Sequence, residues 1–192
     1  YGLVGSEMCI RDSNSGKEGS NRIHFLLGKI SGKFVGLVDG NYGNSSSTSG
    51  AFTMNTSNTN SGGWESSQMR SKVLGSASSP TSPTANTLLA ALPSDLRAVM
   101  KSCTKYTDNK GGSNTASNVS STTDYLFLLS EYEVHGTRSY ANSAEQNSQA
   151  QYDYFKAGNS KVANKHSATG TAAVWWLRSP NYYSYSGFCA VS

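Results

Sequence analysis

The residues best suited to recognition or chemistry lie near the end of the chain, in AVWWLRSPNYYSYSGF, Ala173 to Phe188. In a strand, successive side chains point to opposite faces. Trp175 and Leu177 then share one face, and Trp176 and Arg178 the other. A doubled tryptophan needs cover on both sides. Arg178 lying over the ring of Trp176 would supply part of it, worth about 0.5–2 kcal/mol depending on exposure. Ser179 and Pro180 turn the chain into Asn181–Gly187, NYYSYSG. Tyrosine offers broad amphipathic contact at low entropy cost, and Ser, Gly and Asn offer adaptable hydrogen bonds. The composition suits a binding loop, and equally a turn with tyrosines laid on the surface. The candidate ligand-binding residues are Trp176, Arg178, Tyr182, Tyr183 and Tyr185.

Other chemistries find less support. A zinc site needs closely spaced Cys and His ligands, whereas His24, His135, His166, Cys103 and Cys189 stand far apart. The sparse carboxylates offer no oxygen cage for calcium. A nucleophile pair of Cys103 or Cys189 with His135 would have to meet in the fold, and neither cysteine sits in a nucleophile elbow. Glu131 and Glu133, two apart on a helix, diverge. No glycine-rich phosphate loop is present. The expectation is no catalytic set, no metal and no cofactor.

These residues need a scaffold, and 192 residues suffice for one domain with a real core. Only 36% of residues are hydrophobic, but aromatics hold at 10%, too many for a disordered chain. The net charge of +4 is spread along the sequence without a basic run, which argues against a nucleic-acid partner. The most apolar window, IHFLLGKISGKFVGLV, is cut by Lys29 and Lys33, so no membrane insertion is expected.

Ile23–Lys29 and Lys33–Asp39 are expected as short strands with Gly32 in the turn. Asn41–Gly63 reads as a long polar loop. Trp64–Leu74 reads as a helix closed by Gly75, with Met69 and Val73 on one face. Ser76–Thr84 is a Ser/Pro linker. Over Thr87–Lys105 the spacing of Leu88, Leu92, Leu96, Val99 and Cys103 marks a buried helical stripe, interrupted by Pro93, which can start a second helix. Asp108–Thr123 reads as another polar loop. Tyr125–Leu129, YLFLL, reads as a central strand. Ser130 and Glu133 form a capping box for a short helix that Gly136 ends. Ser143 and Gln146 repeat the box, for a helix running to about Ala157 with Gly158 beyond it and Tyr152 and Phe155 on its apolar side. Ala172–Arg178 and Phe188–Val191 complete the set as strands. The fold class is α+β. Cys103 and Cys189 are expected as small semi-buried hydrophobes.

The opening YGLVGSEMCIRDS resembles translated sequencing-adapter bases. Tyr1–Ser13, with Cys9, is therefore set aside from the fold, and residues 14–192 are expected as one domain fragment. GGWESSQMRSKVL, LPSDLRAVMKSCTKYT, TTDYLFLLSEYEV, QYDYFKAGNSKV and WWLRSP…FCAV stand in an order that resembles a bacterial domain family of unknown function, met in gut-bacterial and prophage genomes. The resemblance runs over about Ile23 to Ser192. The WWLRSP ending also resembles the C-terminal core of C-type-lectin-like folds, including the formylglycine-generating type. That implies a mixed lectin-like fold cut short at the C-terminus. The calcium motifs of such lectins (Glu-Pro-Asn, Gln-Pro-Asp, Trp-Asn-Asp) are missing, and Cys103 and Cys189 do not map onto the formylglycine-generating cysteine pair. The expected function is a non-enzymatic recognition domain of a phage particle or bacterial surface, engaging a glycan or protein. A structural or assembly module is the alternative, and an enzyme with a cryptic site is the third reading.

Overall fold

The structure is a computed structural model, and it describes residues 9–12, 23–26, 28–30, 33–34, 53–165 and 167–191. The strands are β1 (Cys9–Asp12), β2 (Ile23–Leu26), β3 (Lys29–Ile30), β4 (Lys33–Phe34), β5 (Cys103–Asp108), β6 (Val119–Asp124), β7 (Ala163–Asn164), β8 (Ala172–Ala173), β9 (Trp175–Pro180) and β10 (Phe188–Val191). Among the described residues they pair in sequence as five two-stranded antiparallel sheets. The helices are short: α1 (Leu88–Ala91), α2 (Ser94–Val99), α3 (Glu131–His135) and α4 (Asp153–Lys156). The class is α+β.

β1 pairs with β2 in register Cys9 to Leu26 and Asp12 to Ile23, so part of the segment set aside from the fold lies beside a strand. The hairpin expected around Gly32 is β3–β4, with Ile30 opposite Lys33. The remainder of Lys33–Asp39, and residues 41–52 of the long polar loop, lie outside the described residues, as does His166.

Four expectations are corrected. Asp108–Thr123 is not a continuous loop, because Val119–Asp124 pairs residue by residue with Cys103–Asp108. The hairpin escapes hydrophobic patterning because its inward positions are polar: Lys105, Thr107, Thr122 and Asp124 are all buried. Tyr125–Leu129 is not a strand. It links β6 to α3, with Leu129 buried and Phe127 packed against both core clusters. The stripe along Thr87–Lys105 is broken by the Pro93 junction and by the start of β5. Of its members Cys103 is buried, in β5, while Val99 is 68% exposed, and the fully buried leucine of the segment is Leu89, which is off the stripe. The helix from Ser143 divides into a 3₁₀ turn at Ser143–Ser148, capped by Asn142 rather than Ser143, and the separate α4.

Trp64–Leu74 enters through turns and ends in a π-helical turn, Met69–Leu74. Gly75 closes it at φ 68° and donates its N–H to the Arg70 carbonyl. Left-handed backbone of this kind favours glycine. The box at α3 is complete: Ser130 Oγ accepts from Glu133 N, and Glu133 accepts from Ser130 N.

Two apolar clusters flank β9. Leu177 joins Leu129, Val134, Tyr152, Phe155, Cys189 and Val191, with Trp175 packed against them. Trp176 packs against the other cluster, Met54, Trp64, Met69, Leu74 and Phe188. The doubled tryptophan therefore covers two cores through strand alternation. No helix among the described residues is long and apolar enough to cross a membrane.

Candidate functional site: a tyrosine face on buried polar anchors

The chain leaves β9 at Pro180, crosses Asn181–Gly187 and returns as β10. Tyr185 is 81% exposed, Tyr183 is 70% exposed, and Tyr140, from the segment after α3, is 53% exposed. Tyr182 and Tyr183 lie ring to ring at 4.0 Å and 33°, and Tyr140 meets Tyr183 edge to face at 6.2 Å. Tyr182 N donates to the Tyr140 carbonyl at 2.9 Å, joining the two segments. The Tyr185 ring rests on Gly112, where an added Cβ would come within 2.6 Å of it.

Exposed loops with this much Ser and Gly keep one shape only when held from below. Asn60, 1% exposed, does so for 181–187. Its Nδ2 donates to the carbonyls of Asn181 (3.0 Å), Ser184 (2.6 Å) and Gly187 (2.8 Å). Its backbone N–H donates to the Tyr185 carbonyl at 2.9 Å. Glu131 does the equivalent for the Tyr140 segment with the opposite polarity. Its carboxylate accepts from the backbone N–H groups of Ser139, Tyr140 and Ala141, at 3.0, 3.0 and 2.8 Å.

Glu145, in the 3₁₀ turn, joins β5 to β9 beneath these segments. It accepts from Asp108 N at 2.8 Å and from Ser179 Oγ at 2.6 Å. Burial pushes its carboxyl up to about 7, although the Asp108 amide, the Ser179 hydroxyl and the Arg178 charge draw it down. Glu133 takes the other course. Burial pushes it up, but the Arg178 and Lys105 charges and the hydrogen bonds from Arg178 and Ser130 outweigh that and hold it well below the ordinary carboxylate range.

Arg178 is corrected in its contacts. It does not lie over Trp176. Its Nη1 and Nη2 both donate to Glu133, the second at 2.9 Å, and its Nε donates to Thr107 Oγ1 at 2.8 Å. It is 0% exposed, which places it within the structure rather than on a ligand face. Lys105, 1% exposed, sits 3.2 Å from Glu133 and 3.0 Å from the Tyr152 hydroxyl, with the Phe127 ring centre 4.1 Å away. Nothing in the sequence distinguished it from the scattered surface lysines. Trp176 is part-buried against the second cluster. Of the five candidates, Tyr182, Tyr183 and Tyr185 are together at the surface, while Trp176 and Arg178 belong to its support.

Tyr140, Arg138 and the anchors Asn60, Glu131 and Glu145 were missed, and only the capping motif around Glu131 marked their neighbourhood. Arg138 lies at the tyrosine face. The Tyr182 hydroxyl is raised above its ordinary value chiefly by the Tyr183 hydroxyl, and Arg138 draws it back. Cys103 and Cys189 are both buried and not joined to each other. Burial, with Glu131 and Glu145 nearby, pushes the Cys189 thiol up, away from thiolate chemistry. Among the described residues no group of three His, Cys, Asp or Glu could hold a metal ion.

The family described as Domain of unknown function (DUF6273) matches residues 44–192. The chain belongs to this family. The match spans the Asn60 anchor, the polar hairpin and the tyrosine loop of the DUF6273 domain, and begins after Tyr1–Ser13. No curated protein and no solved structure matches the chain.

Proposed function

We propose that this DUF6273 chain is a non-enzymatic recognition domain, carried on a phage particle or bacterial surface, that engages a glycan or protein through Tyr140, Tyr182, Tyr183 and Tyr185. One observation carries the reading. Three tyrosines more than half exposed stand on backbone fixed from beneath by Asn60 and Glu131. A rigid aromatic surface binds without first ordering its loops, which lowers the cost of association. In the same reading, the β9–loop–β10 unit with its WWLRSP strand is the terminal core of a C-type-lectin-like fold. The order of the motifs and the seating of Trp175 and Trp176 in two cores support it.

The test compares wild type with a Tyr182→Ser, Tyr183→Ser, Tyr185→Ser variant, by capture on intact bacterial cells and on a glycan array. The expected result is loss of capture with the melting temperature nearly unchanged. Capture that survives removes the loop as the site. Concentration-dependent self-association that the variant abolishes would instead favour an assembly module.

A further inference from the structure

Three segments meet on the tyrosine side of the domain: 109–115, 138–142 and 181–187. Asn142 Nδ2 donates to the Thr115 carbonyl at 2.8 Å, Tyr182 N reaches the Tyr140 carbonyl, and Tyr185 covers Gly112. These segments carry Arg138 and Lys110 and no Asp or Glu. Elsewhere in the fold the described cations of the interior are matched. Arg70 pairs with Asp124, Lys105 and Arg178 pair with Glu133, and Arg97 donates to the carbonyls of Leu92 and Pro80. Arg138 differs. Among the described residues it pairs with no carboxylate, its Nε is buried without a hydrogen-bond partner, and its guanidinium is hydrogen-bonded to the Tyr182 hydroxyl. Arg70, Arg97 and Arg178 are thus fixtures of the fold, whereas the Arg138 guanidinium meets a tyrosine hydroxyl and, among the described residues, no carboxylate, at the edge of an aromatic surface.

We infer that the tyrosine face takes an acidic saccharide, with a carboxylate or sulfate of the sugar docking on Arg138 and its C–H faces on Tyr140, Tyr182 and Tyr183. This rests on the reading of the face as a recognition surface. A guanidinium offers parallel N–H donors that match a carboxylate or sulfate. Flat rings suit the C–H face of a pyranose, and Ser113, Asn114, Ser184 and Ser186 supply partners for its hydroxyls. The centre of a protein interface packs anchors into desolvated pockets. Here no aliphatic side chain is exposed: Ala141, the sole aliphatic in the three segments, is buried. A sugar therefore fits better than an acidic peptide.

The experiment is a titration of the full chain and of Arg138→Gln against uronic-acid, sialic-acid and sulfated oligosaccharides, beside the same sugars after carboxyl reduction or desulfation. The expected result is binding confined to the acidic members. It should weaken about tenfold in Arg138→Gln and fall between about 0.05 and about 0.5 M NaCl, with the melting temperature of the variant unchanged. Equal binding of the neutral counterparts, or acidic binding indifferent to Arg138→Gln, overturns the inference while the tyrosine surface stands. Binding of acidic peptides but of no saccharide overturns it in favour of a protein ligand. No binding to any saccharide also overturns it, and the capture of whole cells by wild type and the triple tyrosine variant then decides the broader reading separately.

Discussion

Glu133 and Tyr185 stand at the two extremes of this domain. Glu133 is 1% exposed and accepts from Lys105, both terminal nitrogens of Arg178 and the Ser130 amide. Tyr185 is 81% exposed, and its ring rests on a glycine. Ionic groups usually decorate a surface while aromatics fill a core; here an ionic cluster lies inside and several aromatics lie outside. The hairpin β5–β6 turns polar side chains inward, so the interior is fixed by directed bonds that hold only in one geometry. That geometry sets the segments from which the tyrosines project. The interior charge serves position, and the proposed contact falls to the exposed rings.

The sharpest way to break this division is Glu133→Ala. It strands Lys105 and Arg178 as uncompensated buried charges, and about 3–5 kcal/mol of stability should be lost, read by urea unfolding. A result under about 1 kcal/mol would mean that the centre is wet and the contrast false.

Second is pH. The Glu145 carboxyl is at about 7 in the folded chain against an ordinary 4.5. Its favourable contribution is whole below 4.5 and is lost as pH rises through about 7. Stability should therefore fall by up to about 1.4 kcal/mol per pH unit across that window. Glu133 has the opposite sign: held low, it stabilises above its ordinary 4.5, and that contribution is lost as acid protonates it. Glu145→Gln should flatten the neutral-side slope and leave acid denaturation in place. A slope that survives in this variant would assign the effect to another group.

Third, Asn60→Ala removes the donor for three carbonyls and should cost about 1–3 kcal/mol. Its mark is selective. Amide exchange should quicken at Tyr183–Gly187 well before it does in β5, and uniform quickening would deny Asn60 a special role. The smallest expected effect on stability comes from the triple tyrosine variant, whose urea midpoint should match wild type while binding is lost.

What the sequence made legible was local. The Ser130–Glu133 box, Gly75 as a helix stop and the alternation of Trp175 and Trp176 each depend on neighbours within a few residues. The second occupation of Glu133 was hidden, because Lys105 and Arg178 lie 28 and 45 residues away. β6 was hidden because VSSTTD carries its strand signal on polar residues whose inward members are matched by hydrogen bonds rather than apolar contact: Thr122 donates to Asp124, and Asp124 accepts from Trp64 and Arg70. YLFLL misled in the other direction. Its apolar residues are shared between two clusters, but among the described residues the segment pairs with no neighbouring strand. Arg138 and Asn60 gave no signal at all, since their meaning lies only in what surrounds them.

Asn60 reaches the tyrosine loop across 124 residues of chain at its Ser184 bond. Closing so wide a loop costs entropy that only a finished interior offsets. During synthesis Asn60 leaves the ribosome long before its partners in Asn181–Gly187 exist. The bonds that hold the tyrosine loop are therefore ones that local structure alone cannot form.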